Sequence, residues 1–128
     1  FPQVAGKQCI VYKSVVEESV DNFNEWLDVS IKTHKNKAFN LVGAPTSKLE
    51  YKGPSLPEAA SIVRSRGDSA FGCVCIAERH GTKRDEASAM CAKADWGAQW
   101  FISQGVYSAA PMIKLLNDYG DMCKARGV

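Results

Sequence analysis

The chain has 128 residues, with 16 lysines and arginines against 14 acidic residues and a formal net charge of +2. That length corresponds to one domain, large enough to bury a core without cross-links. A composition of 45% hydrophobic and 23% charged residues excludes a disordered or fibrous chain. The small positive surplus gives no reason to expect nucleic acid: "KTHKNK" at 32–37 and "ERHGTKR" at 78–84 gather basic residues without the interleaved aromatics that base stacking uses. No stretch approaches the roughly 20 apolar residues of a membrane span.

In chain order, "FPQVAGKQC" opens without Met, as a mature secreted chain does after loss of its leader, so a secreted, oxidising setting is the expectation. "QCIVYK" at 8–13 is short, β-branched and apolar and predicts a strand. Ser14 and Glu17 have capping-box spacing, and Val16, Val20, Phe23, Leu27 and Ile31 follow at helical intervals, which predicts a helix over 15–34. "FNLVG" at 39–43 predicts a second strand, stopped by Gly43 and Pro45, and "LEYKG" at 49–53 a short strand paired with it. Ser55 and Pro57 open a helix with Ala59, Ile62 and Val63 on its apolar side, ended by Gly67.

"AFGCVCIAE" at 70–78 reads as a strand with Phe71, Cys73 and Cys75 on one face and Val74 and Ile76 on the other. Residues 85–94 read as a helix aligning Ala87, Met90, Cys91 and Ala94, and "AQWFISQ" at 98–104 as a strand. Ser108 and Pro111 start a last helix whose stripe is Met112, Leu115, Leu116, Tyr119, Met122 and Cys123, closed by Gly127. With no linker rich in Pro, Gly or Ser, residues 1–128 form a single domain. The order of its first elements is that of a split βαβ, ferredoxin-like unit. The expected fold is therefore α+β, a two-layer α/β sandwich with helices packed on one face of an antiparallel sheet.

Three chemistries compete for residues 71–91. Cys73, Cys75, His80 and Cys91 are the right elements for zinc. C-x-C on a strand, however, points both sulfurs the same way about 7 Å apart, where zinc knuckles use C-x2-C, so no metal site is expected. No catalytic cysteine signature surrounds these residues, and HExxH, GxSxG and phosphate-cradling glycine loops are absent from the sequence, so no catalytic residue and no cofactor are assigned. A small secreted ribonuclease could draw a base, an acid and a cation from Glu78, His80 and Arg84 or His34, which otherwise read as polar residues on two loops. Trp96, Trp100 and Phe101 form a candidate contact patch for a protein partner, with strand alternation sending Trp100 and Phe101 to opposite faces.

The segment "CVCIAERHGTKRDEASAMC" with the later "LLNDYGDMCKARG" resembles the cysteine pattern of small secreted fungal proteins, in particular the virally encoded killer toxins of smut fungi and the plant-pathogen effectors that share their fold. The pattern is a C-x-C strand, a polar loop with Gly, a small-residue helix ending in Cys and a later helix carrying another Cys. Here these are Cys73, Cys75, Cys91 and Cys123, and the resemblance covers about half the chain. It implies a secreted, disulfide-stabilised, non-enzymatic effector or toxin acting on a host or partner protein. The alternatives are a small secreted nuclease-like enzyme and an intracellular zinc- or thiol-dependent protein. On this reading Cys9 bridges Cys73 or Cys75, and Cys91 bridges Cys123 across two helices. One odd thiol is left, which, like the aromatic patch, could join copies or partners.

Overall fold

A computed structural model describes residues 6–44 and 48–128. Strands β1 (Ile10–Ser14), β2 (Ala38–Val42), β3 (Ala70–Cys75) and β4 (Phe101–Ser103) alternate with helices α1 (Val20–Lys32), α2 (Leu56–Arg64), α3 (Glu86–Asp95) and α4 (Ala109–Ala125). They form one sheet in the order β1-β2-β3-β4, and every neighbouring pair is parallel. The fold is therefore α/β, and the expectation of an antiparallel α+β sandwich is corrected.

The reason lies in residues 49–53. "LEYKG" has strand composition but forms no strand. Its Gly53 N–H donates instead to the Val16 carbonyl at 2.9 Å. A Cβ at Gly53 would lie 2.5 Å from the carbonyl oxygens of Val15 and Glu18, so this approach of two backbones needs glycine. Without a hairpin strand, a helix separates each pair of consecutive strands. Each helix carries the chain back to the edge it left, and the next strand must run parallel to the last. The predicted stop residue Pro45 lies outside the described residues.

Two boundaries also moved. Helix α1 begins at Val20, capped by Ser19, whose hydroxyl accepts the Asn22 N–H at 3.2 Å. Val16, placed in the helical series, and Val15 beside it are buried and follow β1 outside the helix, where the Val15 N–H donates to the Val42 carbonyl at 3.0 Å. Strand β3 stops at Cys75, and residues 77–79 form a 3-10 turn rather than continuing it.

Alternation puts Val11, Phe39, Leu41, Phe71, Cys73, Cys75 and Phe101 on one face of the sheet. The core forms there, against Phe23 and Leu27 of α1, Ala59, Ala60 and Val63 of α2, Ala87 and Met90 of α3 and Leu115 of α4. On the opposite face Tyr12, Asn40 and Gly72 lie side by side, Asn40 fully buried. The Trp100 indole lies on Gly72, where a Cβ would come within 2.1 Å of its Nε1. Among the described residues no helix is long and apolar enough to cross a membrane.

Candidate functional site

Parallel strands end at a common edge, where the backbone leaves for the next helix and side chains from several connections converge. At that edge lies a cleft of about 630 Å³. Its floor is the row Val42, Val74 and Ile102, and Tyr12 and Trp96 flank it. Helix α3 supplies one wall: Glu86, Ala89, Lys93 and Trp96 recur at intervals of three and four and so share a stripe, with alanine leaving the space. The stripe offset from it, Ala87, Met90 and Cys91, is buried on the other side. Arg79 and Arg84, from the loop after β3, complete the rim.

Glu86 is fully buried. Its Oε1 accepts the Ile76 N–H at 3.1 Å and its Oε2 accepts Arg84 Nε at 2.6 Å. Burial, the strongest single influence, pushes this carboxyl up. The hydrogen bonds from Arg84 and Ile76 and the positive charges of Arg84 and Lys93 together outweigh it, and the group is held below the ordinary carboxylate value. Lys93 Nζ donates to the Val74 carbonyl at 2.6 Å. That carbonyl is available because the Cys73 N–H bonds to β4 through Trp100, which turns Val74 toward β2, and β2 has ended at Val42. Burial lowers the Lys93 amine, Glu86, Cys73 and Cys75 work against that and Arg84 with it, and the net direction is down. Burial also raises the Cys73 and Cys75 thiols, so both persist as thiols rather than nucleophilic thiolates.

No family model and no curated protein matches the chain. Among solved structures it is similar to an uncharacterized protein from Clostridium thermocellum that binds two copies of 5-methyl-5,6,7,8-tetrahydrofolic acid, with a TM-score of 0.56 and 15% identity over 99% of this chain. The likeness establishes the fold. This chain spans 65% of the length of that one.

These findings overturn the resemblance to smut-fungus killer toxins and the effector function drawn from it. The sheet is parallel, the structural likeness lies with a bacterial protein that binds a folate, and Cys9, Cys73, Cys75, Cys91 and Cys123 are all free. The expected bridges fail on geometry. Cys9 precedes β1, and β2 separates it from β3, so two strand spacings of roughly 4.8 Å exceed the reach of a disulfide. Cys91 Sγ lies 4.0 Å from Met122 Sδ, and neither it nor Cys123 is bridged. Cys73, Cys75 and Cys91 are buried and pack as small apolar side chains, while Cys9 is exposed.

The zinc and nuclease alternatives gain nothing. Among the described residues no group of three or more His, Cys, Asp or Glu is arranged to hold a metal. His80, whose side chain is 6% exposed, accepts the Glu86 N–H on Nδ1 at 3.2 Å. That bond leaves Nε2 as the protonated nitrogen of the neutral ring, donating to Asp118 Oδ2 at 2.6 Å. His80 thus clamps the loop after β3 to α4. Glu78 is exposed, Arg84 is engaged by Glu86, and His34 lines a different depression beside Trp26. Replacing His80 with alanine should lower stability by about 1–2 kcal/mol in urea denaturation, through loss of these buried bonds.

The aromatic residues are not gathered into one patch. Trp96 lines the cleft, Trp100 lies against Gly72 of β3, and Phe101 packs edge-on to Tyr119 at 5.7 Å. Sequence reading passed over Glu86, Lys93 and Arg79. The signal for the first two was the seven-residue spacing of Glu86 and Lys93 over two alanines.

Proposed function

We propose that this protein binds a small anionic molecule with a planar body in the cleft at the carboxyl ends of its strands, and that reduced folates are the first class to test. The observation that carries this is the lining. Arg79 and Arg84 bring two guanidinium groups, and Lys93 an amine, against the single carboxylate Glu86, beside an apolar floor and the rings of Trp96 and Tyr12. Arg84 is neutralised by Glu86, but Arg79 has no ion-pair partner among the described residues and is the natural anchor for an anion. A folate offers a flat ring system at one end and carboxylates at the other. The ligand of the Clostridium protein belongs to this class, which makes it a rational first probe.

Titration with 5-methyltetrahydrofolate, followed by tryptophan fluorescence through Trp96 and by calorimetry, should give saturable binding. Arg79→Gln should weaken it about tenfold, or about 1.4 kcal/mol, and Ala89→Phe should block it by filling the cleft. No saturable binding, or binding that neither variant alters, would remove the proposal.

A further inference from the structure

We propose that Lys93 is an imine-forming amine, and that the cleft captures a small anionic aldehyde by joining its carbonyl carbon to Lys93 Nζ. This rests on reading the cleft as an anion site but goes beyond reversible binding. Buried lysines are normally paired with carboxylates, since an unpaired buried ammonium is costly. Lys13, Lys37, Lys114 and Lys124 each have such a partner within 4 Å. Lys93 forms no ion pair within that distance among the described residues, and its amine donates to a neutral backbone carbonyl at 2.6 Å. That arrangement orients the amine without demanding that it be charged. Burial acts in the same direction, lowering the amine below the ordinary lysine value. A neutral amine in a cleft large enough for a substrate is the condition for nucleophilic attack on a carbonyl.

The surroundings suit the remaining steps. The Nζ lone pair forms the C–N bond, and the carbonyl π pair moves to oxygen, which takes a proton from the amine through solvent. The carbinolamine then loses its oxygen as water, leaving the imine, so that amine plus aldehyde gives imine plus water with no change of oxidation state. A protonated imine carries a positive charge, and the Glu86 carboxylate, two helical turns away on the same stripe, opposes it with a negative one. Arg79, on the same rim, is positioned to hold the anionic group of the aldehyde. Cys73 and Cys75 do not compete, because burial keeps them as thiols.

The test is to treat the intact protein with pyridoxal 5′-phosphate, reduce with borohydride and map the adduct by peptide mass spectrometry. Lys93 should be modified at least about tenfold faster than the exposed Lys83, Lys114 and Lys124, because the cleft holds the aldehyde beside the amine. Pyridoxal, which lacks the phosphate, should react at Lys93 about tenfold more slowly, and Arg79→Gln should slow the phosphate-bearing probe to the same degree. Lys93→Met, with its fold checked by circular dichroism, should abolish the fast phase. Label spread over the exposed lysines, or an unchanged fast phase in Lys93→Met, would overturn the assignment. Selective labelling without folate binding would retain the amine and discard folate. Folate binding without selective labelling would discard the amine alone.

Discussion

Replacing Glu86 with alanine is expected to cost about 2–4 kcal/mol of folding stability, because it removes two hydrogen bonds accepted by a fully buried carboxylate, one of them from a half-exposed arginine. The carboxylate is fully buried and accepts two bonds at once, from Arg84 Nε at 2.6 Å and from the Ile76 N–H at 3.1 Å. It fastens the loop after β3 to the first turn of α3, and it opposes the charges of Arg84 and Lys93. Its loss orphans the Ile76 N–H and leaves the Arg84 guanidinium without its carboxylate. Glu86→Gln keeps an acceptor for Ile76 and should cost less, which separates the hydrogen bond from the charge. The sign of the pH effect follows from the lowered carboxyl. Above the ordinary value of about 4.3 the stabilisation is fully present; it is lost as pH falls through the folded-state value, where the unfolded chain already binds the proton. Urea denaturation from neutral to acidic pH should therefore show a steeper loss in the wild type than in Glu86→Gln. Equal slopes would mean that the carboxylate is not stabilised by the fold.

Particular residues explain what could be read in advance. Helices α1 and α2 were legible because Phe23 and Leu27, and Ala59 and Val63, recur at the helical period and all four are buried. Strand β3 was legible because Phe71, Cys73 and Cys75 alternate with glycine and valine. The direction of the sheet was not, because it hinged on whether "LEYKG" pairs as a strand. Local composition favours a strand there, while the contact that decides against it joins Gly53 to Val16, 37 positions apart. The cysteines misled for a related reason: a buried thiol and half of a disulfide look alike in sequence, and only strand order distinguishes them. At the cleft, Glu86 and Lys93 are related by helical spacing and could have been paired in advance. Arg79 could not, since its direction depends on the 3-10 turn that interrupts the predicted strand.

Phe39→Ala is expected to be comparably severe, about 3–5 kcal/mol, the sum of lost apolar transfer and an unfilled cavity. Phe39 is fully buried near the start of β2, level with Val11 on β1 and Phe71 on β3, and the Trp26 ring stands edge-on to it at 5.6 Å. The cavity cannot close easily. Strand β2 is hydrogen-bonded on both sides, so its backbone cannot sink toward α1 without breaking two ladders, and Trp26 is fixed between Phe39 and the Lys13 ammonium 4.9 Å from its ring. Phe39→Leu, which refills most of the volume, should cost under about 1.5 kcal/mol. Phe101→Ala is the internal control. That ring faces the same core, but it is only partly buried and belongs to a three-residue edge strand, so its loss should be smaller in proportion to the area it buries. Urea midpoints that fall in the order Phe39→Ala, Phe101→Ala, Phe39→Leu, from lowest upward and at constant slope, would locate the centre of the core between β2 and α1. A Phe101→Ala midpoint at or below that of Phe39→Ala would move it toward α4.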